Sequence, residues 1–88
     1  ILFTESYNKK ASKWLKKQAV LRDQYLKTLQ LIELDVNHPS LCLHKLSGRL
    51  SGLSSVSVNM SYRITLELMI QDGDIVLINI GSHDEVYK

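Results

Sequence analysis

Residues 62–83 read Tyr-Arg-Ile-Thr-Leu-Glu-Leu-Met-Ile-Gln-Asp-Gly-Asp-Ile-Val-Leu-Ile-Asn-Ile-Gly-Ser-His. Large apolar side chains occupy the even positions of the first run: Tyr62, Ile64, Leu66, Leu68 and Ile70. Because side chains alternate across a β-strand, this pattern predicts a strand with one packed face and one mostly polar face. The pair Asp72-Gly73 tolerates positive φ and predicts a tight hairpin to the next strand.

The run after this turn, residues 75–80, is apolar on both faces, which is typical of a strand with neighbours on either side. It leads directly into Gly-Ser-His-Asp-Glu-Val-Tyr at residues 81–87. The sequence therefore predicts that His83, two carboxylates and Tyr87 lie where a central strand leaves the core.

Two amphipathic helices are predicted before these strands. Residues 1–3 form a short apolar strand in this reading, and Thr4 is a candidate cap for the first helix. The first helix has one apolar face: Tyr7, Ala11, Trp14 and Leu15. The second runs from about residue 20 to residue 34, with a buried side formed by Leu21, Tyr25, Leu29 and Ile32.

Residues 41–53 are predicted to form a loop with strand-like ends, because Gly48 and Gly52 interrupt them. Lys45 and Arg49 lie in this loop, where a flexible backbone lets basic side chains approach phosphate oxygens. Cys42 lies between two leucines, which predicts a small core residue.

A further strand is predicted over residues 54–60, with Val56, Val58 and Met60 inward and Ser55, Ser57 and Asn59 outward. The element order predicts an α+β fold, with an N-terminal strand, a two-helix hairpin and a three-strand antiparallel meander. The helices pack on one face of the sheet in this prediction. The polar face, centred on Arg63, either cradles a ligand or is simply the solvent side of the sheet.

The length and composition are those of one globular unit, so residues 1–88 are predicted to form a single domain. No run is long enough for a membrane span, and no segment resembles a signal peptide. A single cysteine fits a reducing compartment, so we expect a cytoplasmic protein. The three histidines are far apart in sequence and no Gly-rich nucleotide loop is present, so we expect neither a metal nor a cofactor.

Charge is distributed unevenly along the chain. Residues 1–63 carry ten Lys or Arg against four Asp or Glu, whereas residues 64–88 carry one against five. Five of the lysines lie on the first helix, Lys13 and Lys17 among them. They form either a phosphate-facing surface or a solvated helix face.

One reaction class fits the residue types that remain. Cleavage of RNA by its own 2′-hydroxyl needs a base, a cation at the phosphorane and an acid for the leaving 5′ oxygen. Histidine, arginine and tyrosine supply these functions without a metal. The residues of these types, with one lysine, are His44, Lys45, Arg49, Arg63, His83 and Tyr87.

Three segments carry a resemblance to a known family: residues 44–52, Tyr62-Arg63-Ile64 and residues 80–87. Their order and spacing resemble the RelE/ParE superfamily of bacterial toxins, most of all the members related to RelE, YoeB and YafQ. The resemblance implies a RelE-like, microbial-RNase-like fold and a ribosome-dependent mRNA endonuclease that inhibits translation. It also implies a cognate antitoxin as partner, in a toxin–antitoxin hetero-oligomer.

The resemblance assigns roles by position. It implies that Arg63 acts on the scissile phosphate, that His83 is a catalytic histidine and that His44 is a second acid/base. Which histidine is the acid and which is the base stays open. Tyr87 corresponds to the terminal aromatic residue of the family. Lys45 and Arg49 match its basic loop.

Two features depart from the pattern of the YafQ-like enzymes, and other readings stay open. Ser57 and Ser61 stand where those enzymes have a histidine and an aspartate. Asp84 either orients His83 or caps a final helical turn. The alternative functions are a ParE-like toxin that poisons DNA gyrase, or a non-catalytic domain that only binds its antitoxin.

Overall fold

A computed structural model describes residues 1–69 and 72–86 of the chain. The helices are α1 (Glu5–Lys17), α2 (Arg22–Leu34) and α3 (His83–Val86), and the strands are β1 (Leu2–Phe3), β2 (His44–Lys45), β3 (Ser54–Ser57), β4 (Tyr62–Met69) and β5 (Asp74–Ser82). Short 3₁₀ turns cover Ala19–Leu21, Pro39–Leu41 and Gly48–Leu50. Within the described residues, no helix is both long and apolar enough to cross a membrane.

The five strands form one sheet in the order β1-β5-β4-β3-β2. The pairs β3–β4 and β4–β5 are antiparallel, as the sequence predicts. Strand β1 runs parallel to β5, so β5 has neighbours on both sides and its apolar composition is explained. The short strand β2 adds a fifth, antiparallel member beside β3.

Helix α1 begins where the sequence predicts. The Thr4 hydroxyl accepts a hydrogen bond from the Tyr7 N–H at 3.0 Å, which satisfies one of the unpaired donors of the first turn. The apolar face then buries Tyr7, Ala11 and Trp14. Helix α2 starts two residues later than predicted, because residues 19–21 form a 3₁₀ turn instead.

The core lies between the helices and one face of the sheet. From the sheet it contains Val56, Ile64, Leu66, Leu77 and Ile80. The prediction of four buried residues on one side of α2 is correct for two of them. Tyr25 and Ile32 are buried, whereas Leu21 and Leu29 are only partly buried. The α+β prediction, with helices on one sheet face, is confirmed.

Two expectations about single residues are wrong. Cys42 is exposed, because it follows the Pro39–Leu41 turn in a left-handed conformation with φ of 49°. Met60 is fully exposed, because β3 ends at Ser57. The side chain of Asn59 accepts the N–H groups of Ser61 and Tyr62, each at 2.9 Å, and so turns the chain at Met60.

The β4–β5 hairpin is present, but its turn differs from the predicted one. Gly73 has a φ of 70°, and its N–H donates to the Met69 carbonyl at 2.8 Å. Asp72 does not have the positive φ that the prediction gave it. Met69 pairs with Asp74, so four residues separate the paired strand ends.

Candidate functional site

The side chain of Arg63 is held at a fixed place on the open face of the sheet. Its Nε donates to the Ser55 hydroxyl at 3.0 Å, and its Nη2 donates to the Cys42 carbonyl at 3.0 Å. A longer contact of 3.4 Å joins Nη2 to the Ser55 carbonyl. These bonds occupy the Nε–Nη2 edge of the guanidinium. In the described residues Nη1 has no hydrogen-bond acceptor, so it is available to an anion.

Strand register explains why these groups meet. Ser55 pairs with Thr65 on one side and with His44 on the other, so the three side chains lie on the same sheet face. Arg63 is two residues before Thr65 and therefore projects from that face as well. Ser55 thus lies on the face that the sequence predicts, but it is completely buried there instead of exposed to solvent. Its hydroxyl is part of the support for Arg63.

His44 contacts Arg63 directly. The Arg63 Nη2 lies 3.2 Å from His44 Nδ1. A guanidinium can only donate, so Nδ1 must be the acceptor in this contact, which places the proton of the neutral ring on Nε2. A charged imidazolium would bring two N–H groups together. The contact brings a candidate acid/base and a candidate phosphate-binding cation into one cluster.

Cys42 contributes through its backbone. Its left-handed conformation points the carbonyl at Arg63, while its Sγ is directed to the Pro39 carbonyl at 3.6 Å. Left-handed backbone is uncommon outside glycine, asparagine and aspartate. An unfavourable conformation is thus retained at the residue that orients the arginine.

His83 begins the last helical turn and is largely exposed. The Asp84 carboxylate lies beside it, with Oδ1 at 3.8 Å from His83 Nδ1, and both side chains are open to solvent. Ser82 pairs with Tyr62 at the first residue of β4, so His83 follows at the end of the sheet where Arg63 lies. Arg63 itself pairs with Gly81.

The cap of α3 comes from Ser82 and Glu85 rather than from Asp84. The Glu85 N–H donates to the Ser82 hydroxyl at 3.3 Å, and the Ser82 N–H donates to the Glu85 carboxylate at 3.0 Å. This is a capping box, and the Ser-x-x-Glu signature that predicts it lies at residues 82–85. A Cβ added at Gly81 would lie 3.1 Å from the Glu85 Cβ, so glycine leaves room for this cap.

The basic residues predicted to bind phosphate are in two separate places. Lys45 lines a depression with His44 and Ser47, beside the Arg63 cluster. Arg49 is exposed in the Gly48–Leu50 turn. Lys13 and Lys17 line a different cleft, between α1 and the β4–β5 pair. Tyr87 lies outside the described residues.

The structure thus brings together two of the predicted catalytic residues, Arg63 and His44, and adds Ser55 and the Cys42 carbonyl. No group of three or more potential metal ligands occurs within residues 1–69 and 72–86. A mutation of one member of the cluster will affect the others, because they share the hydrogen bonds of a single guanidinium.

The comparison with known proteins gives matches among solved structures alone. No protein-family model and no curated protein sequence matches the chain. YafQ from E. coli superposes with a TM-score of 0.74 at 16% identity, covering 98% of this chain and 94% of YafQ. A YoeB/ParE toxin from Agrobacterium tumefaciens gives a TM-score of 0.75 at 13% identity, covering 93% and 95%.

A further match belongs to the E. coli DinJ–YafQ toxin–antitoxin complex, with a TM-score of 0.71, 19% identity and coverage of 98% and 93%. These matches extend over almost all of each chain, which confirms at the level of the fold the resemblance seen in the sequence. The protein has the fold of the YafQ and YoeB/ParE toxins.

Proposed function

We propose that this protein is the toxin of a toxin–antitoxin system and acts as a ribosome-dependent mRNA endonuclease. The observation that supports this most is the Arg63 cluster. The guanidinium is fixed by Ser55 and Cys42, contacts a histidine, and has Nη1 available for a phosphate oxygen. A cation held in advance where negative charge develops stabilises a transition state without reorganisation at the moment of reaction.

The proposed reaction needs no metal. The 2′-oxygen attacks the adjacent phosphorus after losing its proton, the bond from phosphorus to the 5′ oxygen breaks, and that oxygen takes up a proton. The products are a 2′,3′-cyclic phosphate and a free 5′-hydroxyl. Arg63 stabilises the additional charge on the phosphorane oxygens.

His44 is the proposed base. Its Nδ1 lies 3.2 Å from Arg63 Nη2, beside the guanidinium that is proposed to hold the phosphate. His83 is the proposed acid, with Asp84 orienting its ring from 3.8 Å. Tyr87 is the proposed aromatic contact to a base of the RNA.

Lys45, next to His44, and Arg49 are proposed to grip RNA phosphates on either side of the cleaved bond. The partner that restrains the activity is proposed to be a cognate antitoxin, as DinJ is found with YafQ. Action on ribosomes would place the protein in the cytoplasm.

The decisive experiment is cleavage of mRNA on programmed ribosomes, mapped by primer extension. We expect cuts in the ribosomal A site and 2′,3′-cyclic phosphate ends, both absent with Arg63→Ala. A parallel assay of supercoiling by DNA gyrase tests the alternative. Gyrase inhibition with intact mRNA would replace the proposal by a ParE-like function, and inactivity in both assays would leave an antitoxin-binding domain.

A further inference from the structure

The depression beside the Arg63 cluster lies on the outer side of the last strand of the sheet. It has a volume of about 350 Å³, and all the residues that line it come from β2 and the turn that follows: His44, Lys45, Leu46, Ser47 and Leu50. Strand β2 ends the sheet order in the described part of the chain, and no residue of β3 lines the depression. The depression therefore opens on the free edge of β2.

The backbone of Lys45 presents a hydrogen-bond donor and an acceptor at this edge. The Leu46 N–H donates to the Leu53 carbonyl at 2.9 Å, so these two residues form a hydrogen-bonded pair. In an antiparallel ladder such pairs alternate with pairs whose main-chain groups point outwards. Lys45, which pairs with Ser54, is of the second kind, and its N–H and C=O point away from β3. The described residues provide no hydrogen-bond partner for either group.

The rest of the lining suits the flat face of an unpaired nucleobase. Leu46 and Leu50 are half-buried and supply apolar surface, and Ser47 adds an exposed hydroxyl. Bases that leave a stack pack against apolar or aromatic side chains and are recognised by hydrogen bonds to their edges. The Watson–Crick edge of every RNA base has a donor beside an acceptor, and the Lys45 N–H and C=O complement such a pair.

The charge around the depression favours a polyanion. Residues 36–66 contain Lys45, Arg49 and Arg63 and no Asp or Glu. Arg49 lies in the same 3₁₀ turn as Leu50, which lines the depression. A base carried on a phosphate chain gains from these positive charges, whereas a neutral ligand does not.

His44 connects the depression to the Arg63 cluster. The residue lines the depression, and its Nδ1 lies 3.2 Å from Arg63 Nη2. A phosphate at Arg63 Nη1 and the base of a neighbouring nucleotide can therefore belong to one RNA strand.

An added strand of a protein partner fits this edge poorly. Strand β2 has two residues, and of these Lys45 alone directs its main chain outwards, since His44 pairs with Ser55 in the bonded register. Strand addition uses a row of such groups rather than one pair.

We propose that residues 44–50 form a subsite for one unpaired nucleobase of the RNA, next to the cleaved phosphate. The base lies against Leu46 and Leu50, and its edge bonds to the Lys45 N–H and C=O. Binding then depends on a base as well as on the phosphates. The identity of the ligand as RNA rests on the proposed function.

The test compares four RNA homotrimers, one for each base, with an abasic trimer of equal charge. All carry 2′-methoxy groups, which block cleavage, so binding is measured without reaction. NMR titration of the isotope-labelled protein gives the affinities, and the amide spectrum reports whether each variant is folded. We expect the wild type to bind at least one homotrimer about tenfold more tightly than the abasic trimer.

Two matched pairs of variants locate the base. Lys45→Pro removes the outward N–H, which an edge strand tolerates, and Lys45→Ala loses the same charge but keeps that N–H. Leu50→Ala removes apolar lining, whereas Leu53 is equally half-buried and does not line this depression, so Leu53→Ala is its control. We expect Lys45→Pro and Leu50→Ala to reduce the preference for the base to less than about threefold. Both controls should retain the preference.

Equal binding of all trimers by the wild type would overturn the subsite, and so would a preference that survives in Lys45→Pro or falls equally in Leu50→Ala and Leu53→Ala. If one variant is unfolded, the other pair decides. A preference for the base without cleavage on ribosomes would reject the nuclease function and leave the subsite standing. Cleavage in the A site by a protein that does not distinguish the trimers would reject the subsite alone.

Discussion

The Ser55 hydroxyl and the Arg63 guanidinium form a single structural unit across strands β3 and β4. Ser55 is completely buried, and it accepts the Arg63 Nε–H at 3.0 Å while its own carbonyl lies 3.4 Å from Nη2. An arginine on an open sheet face would otherwise sample several rotamers, each of which costs free energy to suppress when a substrate binds. Ser55 therefore acts as a positioning residue for the proposed phosphate contact.

Removal of this hydroxyl should impair catalysis more than folding. We expect Ser55→Ala to lower kcat by about tenfold or more with a small change in KM, because a hydrogen bond to a charged group contributes about 1.5–3 kcal/mol. Single-turnover cleavage on ribosomes and urea unfolding measure the two effects. Ser57→Ala removes a hydroxyl from the same strand that donates to the Asn59 carbonyl instead. An equal loss of kcat in this control would show that the effect is structural.

Replacement of Cys42 by glycine should preserve both the stability and the activity of the protein. Glycine adopts a φ of 49° without the cost that a side chain incurs, so Cys42→Gly should raise or preserve the free energy of unfolding, by up to about 1 kcal/mol. It keeps the carbonyl that holds Arg63, so cleavage should continue. Cys42→Val should destabilise the protein and reduce cleavage.

The exposure of Cys42 can be checked separately. The native wild type should react with iodoacetamide as fast as the urea-unfolded chain, since the residue is exposed. A much slower reaction of Cys42 with iodoacetamide in the native protein would show that the residue is buried, as the sequence predicts.

The sheet could be predicted from two patterns: the alternation of apolar and polar side chains in residues 62–69, and the apolar run of β5. Each pattern indicates which side chains are buried and therefore which face of the strand packs on the core. The same reasoning fails at Met60, where Asn59 bends the chain after Ser57 and ends the alternation. It fails at Cys42 as well. Two flanking leucines indicate a core position, but the Pro39–Leu41 turn and one left-handed residue rotate the side chain outwards.

The contact between His44 and Arg63 could not be predicted from local sequence patterns, because it depends on the register of three strands. His44 pairs with Ser55, and Ser55 pairs with Thr65, two residues from Arg63. Residue types predict that a histidine and an arginine serve the same reaction. They do not reveal that Ser55 is buried beneath them, because a serine in an alternating strand has the appearance of a solvent-facing residue.

Stability at alkaline pH should depend on a buried tyrosine pair. The Tyr7 and Tyr25 hydroxyls lie 2.8 Å apart, and burial raises the pKa of both phenols. A phenol whose pKa is raised on folding keeps its proton in the native state after the unfolded chain has lost it. The stability should therefore be unaffected below about pH 10 and fall above it.

Urea unfolding between about pH 8 and pH 11 measures this dependence. Tyr7→Phe removes the phenol with the larger shift and should flatten the loss above pH 10, although it leaves Tyr25 without its partner. A Tyr7→Phe curve parallel to that of the wild type would show that another group controls the alkaline transition.

Arg63→Ala and His83→Ala should both abolish growth inhibition, but they should differ in stability. Arg63 is half-buried and joins Ser55, Cys42 and His44, so its loss leaves the completely buried Ser55 hydroxyl without the Nε donor. We expect a decrease in unfolding free energy of about 1–2 kcal/mol. His83 is largely exposed, and His83→Ala should unfold at the same urea concentration as the wild type.

Arg63→Lys separates charge from geometry in the same experiment. Lysine keeps the positive charge but cannot donate to Ser55 and Cys42 while also presenting a second N–H edge to phosphate. We expect it to remain inactive on ribosomes although its stability partly recovers. Substantial cleavage by Arg63→Lys would mean that charge alone suffices and that the anchoring by Ser55 is not needed for catalysis.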